Sequence, residues 1–380
     1  MRGVAPLNVV PMSDTQAPVF VSLGDNPARV FGLDARTRAC RLAEKAGLEC
    51  RDNVESDGPA ILANLEFAWD PVWLKVLRDK PGSVLTLDAR PVLAHVEDDA
   101  DAAAQAMFAG KVLEGLEPID ARTAQVGYDE LRKKERPFVL PLTDSTTEQV
   151  ERAAYDASYK GVTDALTLYL WRRPAFYITR WAAQAGLSPN AVTAIGAVLM
   201  LVAFWLFWIG DFWLGILSGF VFMVLDTVDG KLARCTGTSS KWGEAFDHGI
   251  DLIHPPFWWW AWAHGLAPYG HPLEPVYETM LLAVIVIGYI GQRIIEGLFI
   301  YYFKMHIHVW RPVDSWFRLV TARRNPNMVL LVGALLFGRP DVGFELVALW
   351  TLLSLIFHTV RLAQAKARIY QGRPVVSWLA

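Results

Sequence analysis

Apolar and polar positions are spread unevenly along the 380 residues. Up to about residue 150 the apolar runs are short, and APVFVSLG (17–24), GPAILANL (58–65) and GSVLTLD (82–88) are each bounded by Gly or Pro. Runs too short for helices and closed by turn residues predict buried strands. Segments around 34–46 and 70–79 predict helices between them, and this alternation predicts an α/β layer of Rossmann type. The charged LRKKER (131–136), followed by Pro137 and Pro141, predicts a linker. Residues 147–185 then predict one or two amphipathic helices. There Trp171, Tyr177 and Trp181 stand beside Arg172, Arg173 and Arg180, the mixture expected at a membrane surface; a helix packed on the head is the other reading.

Beyond SPN (188–190) the apolar windows lengthen, predicting spans at about 191–209, 212–228, 245–266, 275–300, 327–338 and 342–363. The fifth is short against the ~20 residues that a ~30 Å hydrocarbon layer requires. Basic residues alternate between the connections. Lys231, Arg234 and Lys241 lie in 229–244, and Lys304, Arg311, Arg318, Arg323 and Arg324 in 301–326; Arg361, Lys366, Arg368 and Arg373 lie at the tail, while the opposite connections hold only Arg339. The positive-inside rule then predicts an even number of spans, with both termini cytoplasmic, in a multi-pass protein of the inner (cytoplasmic) membrane. The expected organisation is a cytosolic head (1–145), a linker with interfacial helices (146–190), an all-α membrane domain of six transmembrane helices (191–366) and a cytosolic tail (367–380). Aromatic runs such as FWWWAW (257–262) are expected to face lipid.

Composition sharpens this picture at three points. A hydrophobic fraction of 53% exceeds the roughly 45–50% of globular chains. A net charge of −3, with no Lys/Arg stripe interleaved with aromatics, argues against a nucleic-acid partner. Cys40, Cys50 and Cys235 are odd in number and lack C-x-x-C spacing, which predicts neither a disulfide framework nor a zinc site, and fits a reducing compartment. MRGVAPLNVVPMSDTQ has no basic stretch leading into an apolar run, so no signal peptide is expected.

Four carboxylates stand where lipid is expected. Asp226 and Asp229 are spaced i, i+3 and Asp247 and Asp251 i, i+4, so each pair falls on one face of its helix. A single Asp at the bilayer centre costs about 2.5–3.5 kcal/mol on insertion scales, so something must offset the group. Two antiparallel neighbours joined by a short loop would bring the pairs together, and carboxylate with water is the ligand set of Mg²⁺, Mn²⁺ or Ca²⁺. Gly230 and Gly243 leave room for close approach, and Arg234 offers a bidentate phosphate donor. Simple pairing of the carboxylates with Lys231, Arg234 and Lys241 at a lipid surface explains the charge balance but not the glycines.

The stretch DTVDGKLARCTGTSSKWGEAFDHGID resembles the CDP-alcohol phosphotransferase (CDP-alcohol phosphatidyltransferase) family motif D-x2-D-G-x2-A-R-x8-G-x3-D-x3-D at every fixed position: Asp226, Asp229, Gly230, Ala233, Arg234, Gly243, Asp247 and Asp251. The resemblance covers roughly residues 150–366. It implies an enzyme in which an acceptor hydroxyl attacks the β-phosphate of a CDP-alcohol and CMP departs. It further implies two Mg²⁺ or Mn²⁺ ions on Asp226, Asp229, Asp247 and Asp251, with Asp251 as base and Asn190, Asp229, Gly230, Ala233, Arg234 and Gly243 at the CDP. CDP-diacylglycerol is the expected donor, a hydroxyl-bearing molecule the acceptor, the bilayer the setting, and a homodimer through membrane helices a frequent family arrangement. Arg293, Arg323, Arg324 and Arg361 are candidate acceptor contacts; a Glu296–Arg293 helix lock and topology anchoring are the competing readings.

The head resembles, faintly, the sugar-phosphate nucleotidyltransferases that some family members fuse to the membrane body. VSLGDNPARVFG (21–32) lacks the full Gly-rich triphosphate loop, and ANLEF (63–67) offers Asn64 and Glu66 where a metal-binding Asp is usual. A degenerate, binding or regulatory head is the favoured reading. Alternatives are a di-myo-inositol-phosphate-phosphate-synthase-like enzyme using CDP-inositol, a cation transporter and an inactive scaffold. The last two fit poorly with carboxylates at span ends and a complete motif.

Overall fold

The structure, a computed structural model, describes residues 17–53, 58–124, 136–159 and 161–379; the side chains of Lys241, Glu244 and Asp247 also lie outside the described residues. The predicted linker LRKKER falls outside them except for Arg136. Two compact units emerge, one within Met1–Gln125 and Arg136–Val150, the other chiefly Glu151–Ala380.

The first unit contains β1 (Val19–Leu23), β2 (Arg29–Val30), β3 (Leu33–Asp34), α1 (Ala35–Lys45), β4 (Glu49–Arg51), β5 (Ala60–Asn64), β6 (Phe67–Trp69), α2 (Val72–Arg78), β7 (Ser83–Leu87), β8 (Arg90–Val96), α3 (Ala100–Phe108), β9 (Glu117–Asp120) and β10 (Val139–Pro141). The main sheet runs β4-β1-β5-β8-β7-β9, with β8 antiparallel to its neighbours in an otherwise parallel sheet. The three predicted strands are β1, β5 and β7. Period-two alternation separates their faces. Val21, Leu62 and Ala94 pack on Ala100, Ala104 and Met107 of α3, while the His95 ring meets the Leu77 carbonyl of α2 at 2.7 Å. Asp34 caps α1 by accepting from the Thr37 N–H and hydroxyl, which holds its carboxyl below the usual carboxylate range.

One expectation is overturned here. Cys40 and Cys50 form a disulfide, because α1 folds back along β4 and brings the two Cα atoms to 5.4 Å. Counting and spacing do not register a pair that tertiary packing creates. Cys235 is buried and takes no part in that disulfide.

The chain continues through α4 (Thr147–Ala157), a π-helical turn (Leu166–Leu170), α5 (Arg172–Gln184), α6 (Pro189–Trp208), α7 (Phe212–Cys235), α8 (Lys241–Tyr269), α9 (Pro275–Phe303), a 3₁₀ turn (Ile307–Val309), α10 (Pro312–Arg318), α11 (Arg324–Leu335) and α12 (Pro340–Tyr370). Among the described residues α6, α7, α9 and α12 are long and apolar enough to cross a membrane. By that test four of the six predicted spans stand. Helix α11 has 12 residues, which at about 1.5 Å each fall well short of a bilayer, and α8 carries the acidic motif in its first turns.

The core of the helical unit corrects the expected lipid belt. Trp258, Trp259 and Trp262 are buried, and Phe257 and Trp260 of that run are exposed. Phe207 packs on Trp258 and Trp262, and Phe212 stacks on Trp262 at 4.1 Å between ring centres. Close approach makes this possible: a Cβ at Gly265 would lie 1.9 Å from the Phe207 carbonyl oxygen. Helices α6 and α8 therefore touch backbone to backbone, and the indoles fill the space beside that contact.

Candidate active site

Two helix starts and one helix end frame a polar cleft. Ser188 caps α6 by accepting from the Ala191 N–H at 3.1 Å, with Pro189 preset at the first helical position. Ser240 caps α8 by accepting from the Gly243 N–H at 3.0 Å. The cleft between them is lined by Asn190, Thr193, Asp229, Gly230, Ala233, Arg234 and Gly243, together with Thr238, Ser239 and Ser240. All six residues expected at a CDP are thus brought to one cavity wall. The glycines keep the cleft tight, since a Cβ at Gly230 would sit 3.0 Å from Arg234 Nη2 and one at Gly243 3.1 Å from Ser240 Oγ. Arg234 Nε is buried and has no protein partner among the described residues.

Asp229 forms the floor of this cleft and is nearly fully buried. It accepts from the Thr193 hydroxyl at 2.6 Å and from the Gly230 N–H at 2.5 Å. One turn earlier on α7, Asp226 accepts from Arg324 Nη2 at 2.7 Å, and across on α8 Asp251 accepts from Arg324 Nη1 at 2.9 Å. Carboxylates from two helices therefore converge on one positive charge, and their all-oxygen donor set suits a hard divalent cation. Asp247 lies on the same helix as Asp251, with its side chain outside the described residues.

The predicted acceptor arginines separate. Glu296 accepts from Arg323 Nη2 at 2.5 Å and Arg293 Nη2 at 3.2 Å, and His308 Nε2 lies 3.3 Å from it. Burial holds His308 well below the usual imidazole range, so the ring is neutral, and burial together with Arg323 pushes Arg318 down to about 9. Glu296, His308 and His358 present ligand atoms within 4.8 Å of one another, but Arg323 Nη2 already lies 3.1 Å from His308 Nε2 and fills that position with a guanidinium. Gln292 and His358, each 1% exposed, have no protein partners for their side-chain polar atoms among the described residues. Arg361 is placed elsewhere, in a bidentate pair with Asp314 (2.5 and 2.7 Å) over the Trp310 ring.

Sequence reasoning gave no role to Thr193 or His254, and offered Lys231 only as a partner of the carboxylates. Thr193 stands in SPNAVT, three residues past Asn190. His254, three residues past Asp251, has Nδ1 2.6 Å from the Ile250 carbonyl and Nε2 3.5 Å from Arg324 Nη1. Lys231 turns away from the cleft, donates to the Ser158 carbonyl at 3.0 Å and lies 3.2 Å from the Tyr159 ring centre. The i, i+3 spacing of Asp251 and His254 was the available signal for the second; nothing in the sequence points Lys231 at an aromatic 72 residues away.

Residues 186–357 match the CDP-alcohol phosphatidyltransferase family. Cholinephosphotransferase 1 of Gallus gallus is 32% identical over 136 residues, covering 32% of this chain and 38% of that protein. Archaetidylinositol phosphate synthase of Pyrococcus horikoshii is 27% identical over 205 residues, covering 53% of this chain and 95% of its own length. The chain spans between 30% and 38% of the first cholinephosphotransferases it matches.

Proposed function

We propose that this protein, whose residues 186–357 match the CDP-alcohol phosphatidyltransferase family, moves a substituted phosphate from a CDP-alcohol to an acceptor hydroxyl in phospholipid synthesis. The acceptor oxygen bonds to the β-phosphorus, the bond from that phosphorus to the CMP oxygen breaks, and the acceptor's proton passes to an Asp251 carboxylate oxygen. Asp226, Asp229, Asp247 and Asp251 would hold two divalent ions, Mg²⁺ or Mn²⁺. Bound there, such ions would neutralise the diphosphate and the departing CMP. Asn190, Gly230, Ala233, Arg234 and Gly243 would seat the nucleotide, with the starts of α6 and α8 turned toward its negative charge. The observation that carries this reading is the single cleft that gathers those residues with Asp229.

A lipid donor, CDP-diacylglycerol, is supported by an apolar groove of about 470 Å³ between α6 and α8. Met200, Leu201 and Phe204 line one side, and Gly249, Ile253 and Phe257 the other. His254 lines it too and reaches toward Arg324, so the groove ends beside the carboxylates. The acceptor would lie against Arg293 and Arg323, where the buried polar atoms of Gln292 and His358 await partners. Helices α8 and α11 would complete a six-span body around the core they share with α7 and α12. The head would be a degenerate nucleotidyltransferase-like layer, because Asn26 spends its side-chain amide on the Leu65 and Leu142 carbonyls (2.8 and 2.9 Å) and closes the loop after β1 on its own chain.

Purified protein given labelled CDP-diacylglycerol, Mg²⁺ or Mn²⁺ and a panel of alcohols should release CMP with one acceptor class. Release from a soluble CDP-alcohol instead would move the donor assignment, and no release from any CDP-alcohol would end the reading.

A further inference from the structure

Arg324, the first residue of α11, places its guanidinium between α7 and α8. Nη2 donates to Asp226 Oδ2 at 2.7 Å and Nη1 to Asp251 Oδ1 at 2.9 Å, with the side chain 11% exposed and the guanidinium carbon 4.9 Å from the Phe222 ring centre. Both acceptors are among the proposed ion ligands. A carboxylate oxygen directed at a guanidinium N–H is not directed at a metal, and a monovalent side chain held by two such bonds repels an arriving dication.

We propose that Arg324 is a resident counter-cation, which holds Asp226 and Asp251 together in the ion-free protein and is displaced when a divalent ion binds them. The inference rests on the proposed ion site and adds to it an exchange of one cation for another. Alternative partners stand ready. Arg324 Nε already donates to Asn325 Oδ1 at 3.1 Å, and His254, whose Nδ1 faces the Ile250 carbonyl, turns Nε2 toward Nη1 as an acceptor at 3.5 Å. A small rotation about the side chain moves the guanidinium off the carboxylates without stranding it in an apolar setting.

The site thus differs from an acidic pair that repels itself until an ion arrives. Neutralisation by Arg324 lets the two helices close without metal, and metal affinity is correspondingly reduced by the cost of release. Substituting Arg324 should therefore tighten metal binding, the reverse of what loss of a supporting brace would do.

The test is Mn²⁺ binding to the full-length protein in detergent without nucleotide, followed by the paramagnetic resonance signal of free Mn²⁺. Arg324→Gln should bind Mn²⁺ at least tenfold more tightly than wild type, and Arg324→Lys, which keeps the charge, should stay within a few fold. Equal or weaker binding by Arg324→Gln would overturn the exchange and make Arg324 a permanent brace. If neither wild type nor Arg324→Gln binds Mn²⁺, the ion site itself fails and takes the exchange with it; binding that Asp226→Asn abolishes shows that the ion site stands. A second measurement needs no substitution. Saturating Mn²⁺ should raise phenylglyoxal modification of Arg324 in the wild-type protein several-fold, read by peptide mass spectrometry, whereas unchanged or reduced modification contradicts displacement.

Discussion

Thr193 donates its hydroxyl to Asp229 Oδ2 at 2.6 Å, tying the first turn of α6 to the middle of the acidic motif on α7. Hydrogen bonds to charged groups contribute about 1.5–3 kcal/mol, and a buried carboxylate deprived of one loses its orientation as well. Thr193→Val keeps the shape and removes the donor. It should lower kcat/KM roughly ten- to a hundredfold at 1.4 kcal/mol per decade, and Thr193→Ser should restore most of the loss in a CMP-release assay.

Asp251 is half-exposed beside Arg324, where an acceptor can approach it. Asp251→Asn keeps the oxygen that faces the guanidinium but removes the proton acceptor. The variant should retain CDP-alcohol binding while turnover falls below detection. Full activity in that variant would remove Asp251 from the base role.

The motif was legible because its chemistry is local: eight fixed residues within one helix end, one loop and one helix start. The strands β1, β5 and β7 were legible for a related reason, since Gly and Pro bound each apolar run. What sequence could not supply was pairing over distance. Trp258, Trp259 and Trp262 read as lipid-facing until the close approach of α6 and α8 at Gly265 is known. Arg361 and Asp314 stand 47 residues apart, and their pairing depends on where α10 lies against α12. Likewise β8, RPVLAHV, carries a proline at its second position and a histidine at its sixth, and is a strand because both neighbours claim it.

Asp164 sets the expected response to acid. Burial pushes its carboxyl up, but the Arg318 charge, the Asn325 amide at 3.1 Å and the Thr167 N–H and hydroxyl at 3.1 and 2.8 Å outweigh that and hold it below the usual value of 3.8. A carboxyl with a lowered folded pKa contributes stability that is present above its unfolded value and lost as pH falls through the folded one. Thermal melts should therefore lose stability as pH falls below about 3.8, and Asp164→Asn should be less stable at neutral pH with a flatter acid limb. An unchanged acid limb would place the sensitivity elsewhere.

The Cys40–Cys50 bond closes a short loop from α1 to the edge strand β4. For a loop of that length the chain-entropy relation gives about 2–3 kcal/mol. Reductant, or Cys50→Ser, should lower the melting temperature of the head while leaving Mn²⁺ binding intact, as followed by circular dichroism and metal titration on the same sample.

The central claim is that carboxylates of α7 and α8 bind a nucleotide diphosphate through divalent ions. Its most direct test is equilibrium binding of labelled CDP to the purified protein, with Mn²⁺ and then with chelator. CDP should bind with Mn²⁺, leave on chelation, and fail to bind Asp229→Asn under either condition. Equal binding in Mn²⁺ and in chelator, unaltered by that substitution, would contradict the account.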